Sequence, residues 1–276
     1  MRLLLLASLA GTVVIAASEP LAIVRPVISQ VEEGAAPPAG FFYTPGEALF
    51  FTCRVAHVTK GADQKIRVAY SVAAFDPKGV QLNETYKNEF NDEVTSEDKE
   101  WMPRIQTQLM VPPLAGSGTY KVVVTAEDEI AKTTARIEVP FEVHGHVVEP
   151  SDTVVVRNFH FYRDEEGKQP VESAIYHAGE TLWARFDIIG YQFGEGNKID
   201  LSYVASIILP NGKVVWTQPE PAVEQSQSFY PKRYISGEFS INLKAGVQPG
   251  SYTVGVQVTD AISGKTHDSR HPFTVE

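Results

Sequence analysis

One cysteine, Cys53, stands among the 276 residues. A lone thiol can build neither an intrachain disulfide framework nor a multi-cysteine zinc site. Basic residues are also in short supply. The 24 Lys and Arg face 34 Asp and Glu, a formal net charge of −10 that repels phosphate backbones and excludes nucleic acid as a partner. Catalytic motifs are missing too. Ser263-Gly264-Lys265-Thr266 has the tail of a phosphate-binding loop, but Thr259 stands where that loop needs its first glycine. Gly116-Ser117-Gly118 lacks the outer glycine spacing of a nucleophile elbow. With no paired carboxylates, triad or metalloprotease helix, the expectation is a protein that is not an enzyme. What is present, 43% hydrophobic residues with 20 Gly and 18 Pro, suits packed globular domains rather than a disordered or coiled chain.

The N-terminus sets the compartment. Met1-Arg2 is followed by the apolar run Leu3–Ala17, with small residues at Ala16-Ala17-Ser18 and Glu19-Pro20 directly after. A basic start, a short apolar stretch and a small-residue exit define an export signal over residues 1–18. The run falls short of the roughly 20 residues that span a bilayer, and no later run reaches that length, so the mature chain has no expected membrane span.

Self-comparison organises the rest. Tyr43, Gly46, Glu47, Leu49, Lys65, Ile66, Tyr70, Pro77 and Gly79 recur 133 positions later as Tyr176, Gly179, Glu180, Leu182, Lys198, Ile199, Tyr203, Pro210 and Gly212. Gly118, Tyr120, Val122, Val124, Asp128, Ile130, Phe141 and Val143 recur 132 positions later, from Gly250 to Val275. Val24-Arg25 aligns with Val156-Arg157 at the same spacing of 132. Two copies of one module are therefore expected, at 19–146 and 147–276. Within them, apolar residues alternate with polar ones, as in Phe239-Ser240-Ile241-Asn242-Leu243, the period of a half-buried strand. Turn signals such as Asp76-Pro77-Lys78-Gly79 and Pro210-Asn211-Gly212 fall between the runs. The expected strands lie near 22–31, 47–58, 65–75, 79–84, 105–111, 119–126 and 132–143, and near 153–162, 180–190, 198–209, 212–217, 238–243, 251–259 and 265–275. The fold class is all-β, two tandem antiparallel β-sandwiches after a signal peptide.

Tyr43-Thr44-Pro45-Gly46-Glu47, Asp76-Pro77-Lys78-Gly79 and Gly118-Thr119-Tyr120-Lys121-Val122, with their second-copy counterparts, resemble bacterial immunoglobulin-like modules and the sandwich domains of macroglobulin-type proteins. The resemblance implies immunoglobulin-like sandwiches of a bacterial envelope protein, periplasmic or extracellular. It makes Tyr120 and Tyr252 candidate corner tyrosines. Where antibody domains carry a bridging cysteine pair, this chain has Cys53 and Val122, then Phe186 and Val254, so apolar packing replaces the bridge and Cys53 is expected to be buried. The macroglobulin thioester motif is absent.

Candidate site residues fall in two groups. The regions between the fourth and fifth strands, 85–104 and 218–237, read as long loops carrying Tyr86, Phe90 and Trp101, then Phe229, Tyr230 and Tyr234, with Trp216 just before. Such rings suit a protein or sugar partner, and equally suit capping the open end of a sandwich. Glu142, His144 and His146 would share a strand face as ligands for a transition metal if the chain bends at Gly145. Glu89, Asp92, Glu93, Glu97, Asp98 and Glu100 offer oxygen donors for calcium, although a solvated loop has the same composition. The expected function is an exported, non-catalytic binding or adaptor protein for a protein or glycan of the cell envelope. A structural or assembly component of an envelope complex is the alternative, and a metal-dependent hydrolase a third.

Overall fold

A computed structural model describes residues 19–95 and 101–276. The expected signal segment, 1–18, lies outside the described residues. The first half carries β1 (Ala22–Ser29), β2 (Ala48–Ala56), β3 (Val68–Phe75), β4 (Tyr86–Phe90), β5 (Arg104–Met110), β6 (Gly118–Asp128) and β7 (Thr133–Val143). They form two antiparallel sheets, β1-β2-β5 and β4-β3-β6-β7. The second half carries β8 (Val155–Tyr162), β9 (Ile175–Tyr176), β10 (Thr181–Ile189), β11 (Ile199–Ile208), β12 (Val214–Thr217), β13 (Ala222–Ser226), β14 (Tyr234–Asn242), β15 (Gly250–Asp260) and β16 (Lys265–Val275). Here the sheets are β8-β10-β14 and β12-β11-β15-β16-β9, with β13 pairing beside β12 on β11. No sheet among the described residues closes on itself. Among the described residues one turn of 3-10 helix, Glu195–Asn197, is the helical exception.

Alternation explains the layers. In β2, Leu49, Phe51, Cys53 and Val55 point one way and are buried, while Phe50, Thr52 and Arg54 between them are partly exposed. They meet Val68, Tyr70, Val72 and Ala74 of β3 and Val122, Val124 and Ala126 of β6 in one apolar cluster. Leu182, Ala184, Phe186 and Ile188 of β10 do the same against Val254, Val256 and Val258 of β15.

The core is sized differently in the two halves. Cys53 pairs with Ile105 across β2 and β5, whereas its counterpart Phe186 pairs with Gly237 across β10 and β14. A Cβ added at Gly237 would meet the Phe186 ring at 2.5 Å. A large residue facing none therefore replaces two medium ones, which preserves packed volume. Burial pushes the Cys53 thiol up to about 12, so it stays protonated and unreactive at neutral pH. Tyr120 and Tyr252 each donate their hydroxyl to a carbonyl four residues upstream, Gly116 and Gln248, both at 2.8 Å.

Three expectations need correction. Residues 79–84 form no strand, only a bridge between Phe75 and Gln81. The long loops instead contain β4, paired with β3, and β13, paired with β11. Tyr86-Lys87-Asn88-Glu89-Phe90 has no apolar alternation to mark it as a strand, because all of this edge but Phe90 is exposed. The first strands align at 133, not 132. Arg25 and Asn158 both have left-handed backbone, with φ of 53° and 48°, and mark the same bulge in β1 and β8. That bulge puts Val24 with Arg157 rather than Val156.

Candidate functional site

The two halves interlock where the turn after β3 meets the segment before β14. Asp76 lies in the turn Asp76-Pro77-Lys78-Gly79, and its Oδ1 accepts the backbone amides of Lys78 and Val80, both at 2.8 Å. Its Oδ2 faces the other half and accepts the Tyr230 hydroxyl at 3.0 Å and the Arg233 guanidinium at 2.7 Å. Burial works to raise the Asp76 carboxyl, but the Val80 amide, Arg233 and Tyr230 outweigh it and hold the group below its ordinary value. Tyr230 is buried in the first half's core cluster, and Leu114 of the first half packs on the second cluster. Each half thus completes the other.

The connecting segment is fastened as well. Ser117 Oγ donates to the Gly145 carbonyl at 2.9 Å and accepts its amide at 3.0 Å. A side chain at Gly145 would run into the Ala115 carbonyl, so only glycine allows this approach. One residue on, His146 Nε2 lies 2.6 Å from Asp187 Oδ2, which also accepts Asn158 Nδ2 at 2.7 Å. Asp187 is buried on the outer side of β10, and the Tyr234 ring lies 5.0 Å from the imidazole.

Two concavities flank this joint. A cleft of about 400 Å3 opens between Asp76, Tyr120, Tyr230 and Arg233 on one side and 147–151 with Tyr191 on the other. A shallower groove of about 680 Å3 runs over the outer face of β8-β10-β14, walled by His146, His160, Tyr162, Arg185, Asp187 and Glu238. Arg185 stacks over the Tyr162 ring at 4.5 Å and pairs with Glu238 at 3.7 Å. The groove combines apolar surface with side chains of both charges and is floored by the strands of one sheet, an arrangement fit for recognising ligands that offer both ring faces and hydrogen-bonding groups.

The aromatic candidates scatter. Trp101, Tyr86 and Phe229 are exposed. Phe90 is partly buried against the first core, stacked on Tyr70 at 4.9 Å, and Trp216 is partly buried against the second. Tyr230 and Tyr234 are buried at the joint and cannot act as an open platform. The metal candidates also diverge. Glu142 accepts the Thr119 hydroxyl at 2.7 Å, His144 stacks on Phe42 at 3.8 Å, and His146 engages Asp187. Among the described residues no group of three or more His, Cys, Asp or Glu side chains could hold a metal ion. Of the acidic stretch, Glu97, Asp98 and Glu100 lie outside the described residues.

Two features that sequence reading passed over now carry the joint. Asp76 and Arg233 break the repeat, since their counterparts are Leu209 and Trp101. Positions where two copies differ in charge at a turn are the signal that would have found them. His271 is a third: its Nε2 lies 3.0 Å from Ser269 Oγ, and its ring stacks on Phe159 at 3.5 Å. Burial first, then the neighbouring His267, pushes this imidazole down to about 4. No carboxylate among the described residues bonds to His271, so the hydroxyl–imidazole pair lacks the orienting acid of a hydrolytic triad.

No protein-family model matches the chain, and no curated protein matches it. Among solved structures, the C-terminal domain of the antigen I/II polypeptide BspA from Streptococcus agalactiae aligns at a TM-score of 0.32 and 10% identity, covering 91% of this chain and 100% of that one. The C-terminal domain of the antigen I/II-family protein AspA from Streptococcus pyogenes gives 0.32 and 10%, covering 92% and 99%. A family 123 glycoside hydrolase from Clostridium perfringens gives 0.30 and 15%, covering 45% and 27%. Scores at this level carry neither fold nor function across. Among the described residues no helix is long and apolar enough to cross a membrane.

Proposed function

We propose that residues 19–276 form an exported, non-catalytic binding protein built from two immunoglobulin-like sandwiches, 19–146 and 147–276, held at a fixed angle. In this reading its strand edges and the groove over β8-β10-β14 are presented to a protein or glycan of a bacterial envelope. The buried Asp76–Tyr230–Arg233 network carries the reading. A loose spacer has no use for a desolvated carboxylate that commits one oxygen to its own turn and the other to partners across a joint, whereas a fixed presenting surface does. The groove supports it by adjoining that joint through His146 and Tyr234.

The test is a glycan array and a panel of envelope proteins probed with the chain from residue 19 onward. His160→Ala and Glu238→Ala should each lower binding of a selected ligand about tenfold while leaving the thermal midpoint unchanged. Hydrolysis of any panel member, or binding indifferent to both substitutions, would overturn the proposal.

A further inference from the structure

The free edges of the two smaller sheets, β5 and β14, are equivalent in the repeat but are finished differently. On β14, the residues bonded to β10 alternate with residues whose backbone groups point away, and Glu238 is one of the latter. Tyr203 of the facing sheet fills that position. Its hydroxyl donates to the Glu238 carbonyl at 2.7 Å and accepts the Glu238 amide at 3.1 Å. One side chain thereby occupies both outward main-chain groups at the middle of the edge, where an incoming strand would have to pair.

The counterpart of Tyr203 is Tyr70, and that of Glu238 is Gln106 on β5. Tyr70 does not reach it. The β4 rings draw it the other way, Phe90 stacked at 4.9 Å and Tyr86 at 6.2 Å. In the second half the corresponding strand, β13, has Ala222 opposite Tyr203 and begins there, with Glu224 in place of Phe90 and no ring in place of Tyr86. Tyr203 is thus free to turn to the edge. On β5, the groups of Arg104, Gln106, Gln108 and Met110 point away from β2, and among the described residues only the Thr107 hydroxyl touches one of them, the Gln108 carbonyl at 3.4 Å. No proline interrupts β5, whereas β7 and β16 carry Pro140 and Pro272 along their own edges.

The rim selects the charge of an occupant. Glu32 reaches over the sheet to accept Gln106 Nε2 at 2.8 Å, and Glu33 pairs with Arg104 at 2.7 Å, neutralising the only cation on β5. Exposed Met110 and Trp101 add apolar surface near its two ends.

Resting on the reading of a binding protein, we propose that the β5 edge accepts an extended, lysine- or arginine-bearing segment of a partner protein as an added strand, while Tyr203 closes the β14 edge to the same interaction. The main chain of the partner would pair with Arg104, Gln106, Gln108 and Met110. Its basic side chains would lie over Glu32 and Glu33.

The probe is a fluorescent peptide of alternating Lys and Val, matched to the seven residues of β5, with a Glu–Val peptide as control. Anisotropy with the chain from residue 19 onward should show saturable one-to-one binding of the Lys–Val peptide only. Gln106→Pro removes an outward amide and spares the β2 ladder, so it should weaken binding about tenfold or more at an unchanged thermal midpoint. If that variant unfolds, Glu32→Lys with Glu33→Lys answers the question, because it reverses the rim and should also cost about tenfold. Tyr203→Phe should add a second site. Equal binding of both peptides, binding indifferent to the rim reversal, or a β5-dependent dimer in sedimentation would overturn the proposal. His160→Ala should leave peptide binding intact, so loss of the groove ligand and loss of the edge peptide report on separate claims.

Discussion

Replacing Asp76 probes the joint most directly, because its two oxygens do different work. Asp76→Asn keeps an Oδ1 acceptor for the Lys78 and Val80 amides but removes the charge facing Arg233. Arg233 is about a third exposed, so water screens part of the loss, and the expected cost is about 1–2 kcal/mol. Asp76→Leu, the residue the repeat places at 209, also strips the turn of its acceptor and leaves the Tyr230 hydroxyl buried without one. Its expected cost is about 3–4 kcal/mol, an expected fall of about 6–16 °C in the midpoint for a chain of this size. Lys78→Ala, which alters an exposed side chain and keeps the amide, should change nothing measurable. Scanning calorimetry reads the midpoint, and small-angle scattering reads the joint. The wild type should melt in one transition with a single compact interdomain distance. The Leu variant should split the transition in two and broaden the distance distribution. Asn and Leu variants that both match the wild type in calorimetry and scattering would refute the assignment of Asp76 as the lock.

Acid should act in two separable windows. His271 has a folded value of about 4 against an ordinary 6.5, so the unfolded chain takes up its proton first and stability falls as pH drops from 6.5 to 4, by about 2–3 kcal/mol. His271→Gln should flatten that window in urea titrations across pH. Asp76 and Asp128 are held below their ordinary 3.8, so their contribution is full above that value and is lost only as pH falls beneath it. Gly237→Ala should cost about 1–3 kcal/mol in chemical denaturation through overpacking on Phe186, and Phe186→Leu in the same chain should recover part of it. Cys53 should resist a thiol reagent until the protein unfolds, and labelling within seconds of the native chain would contradict its burial.

Periodicity made the core legible in the sequence. Leu49, Phe51, Cys53 and Val55, or Leu182, Ala184, Phe186 and Ile188, advertise a buried face by alternation alone. Repeat spacing then placed Gly46 with Gly179, both at left-handed φ and both donating to the residue just after an equivalent strand, Val111 after β5 or Leu243 after β14. Edge strands were illegible for the opposite reason, since β4 buries only part of Phe90 and so carries no alternating pattern. The joint was hidden because it depends on which turns meet in space. Tyr230 reads as a loop aromatic until the first half's core is seen to enclose it. Burial of Tyr234 beside His146 follows from packing at the joint, which sequence spacing does not encode.

The asymmetry of the joint has a consequence for polymerisation. Repeat chains commonly reuse one interface, so that any unit can follow any other and the array length is set only by how many units the gene encodes. Here the acceptor turn carries Asp76 in the first half and Leu209 in the second, and the donor position carries Arg233 in the second and Trp101 in the first. Neither outer end bears the group that would complete the inner contact. A second molecule therefore cannot dock tail to head through the same chemistry, and the heterologous contact that would seed an open fibre is missing from both tips. Specialising one aspartate and one arginine confines this contact to one pairing of the two halves.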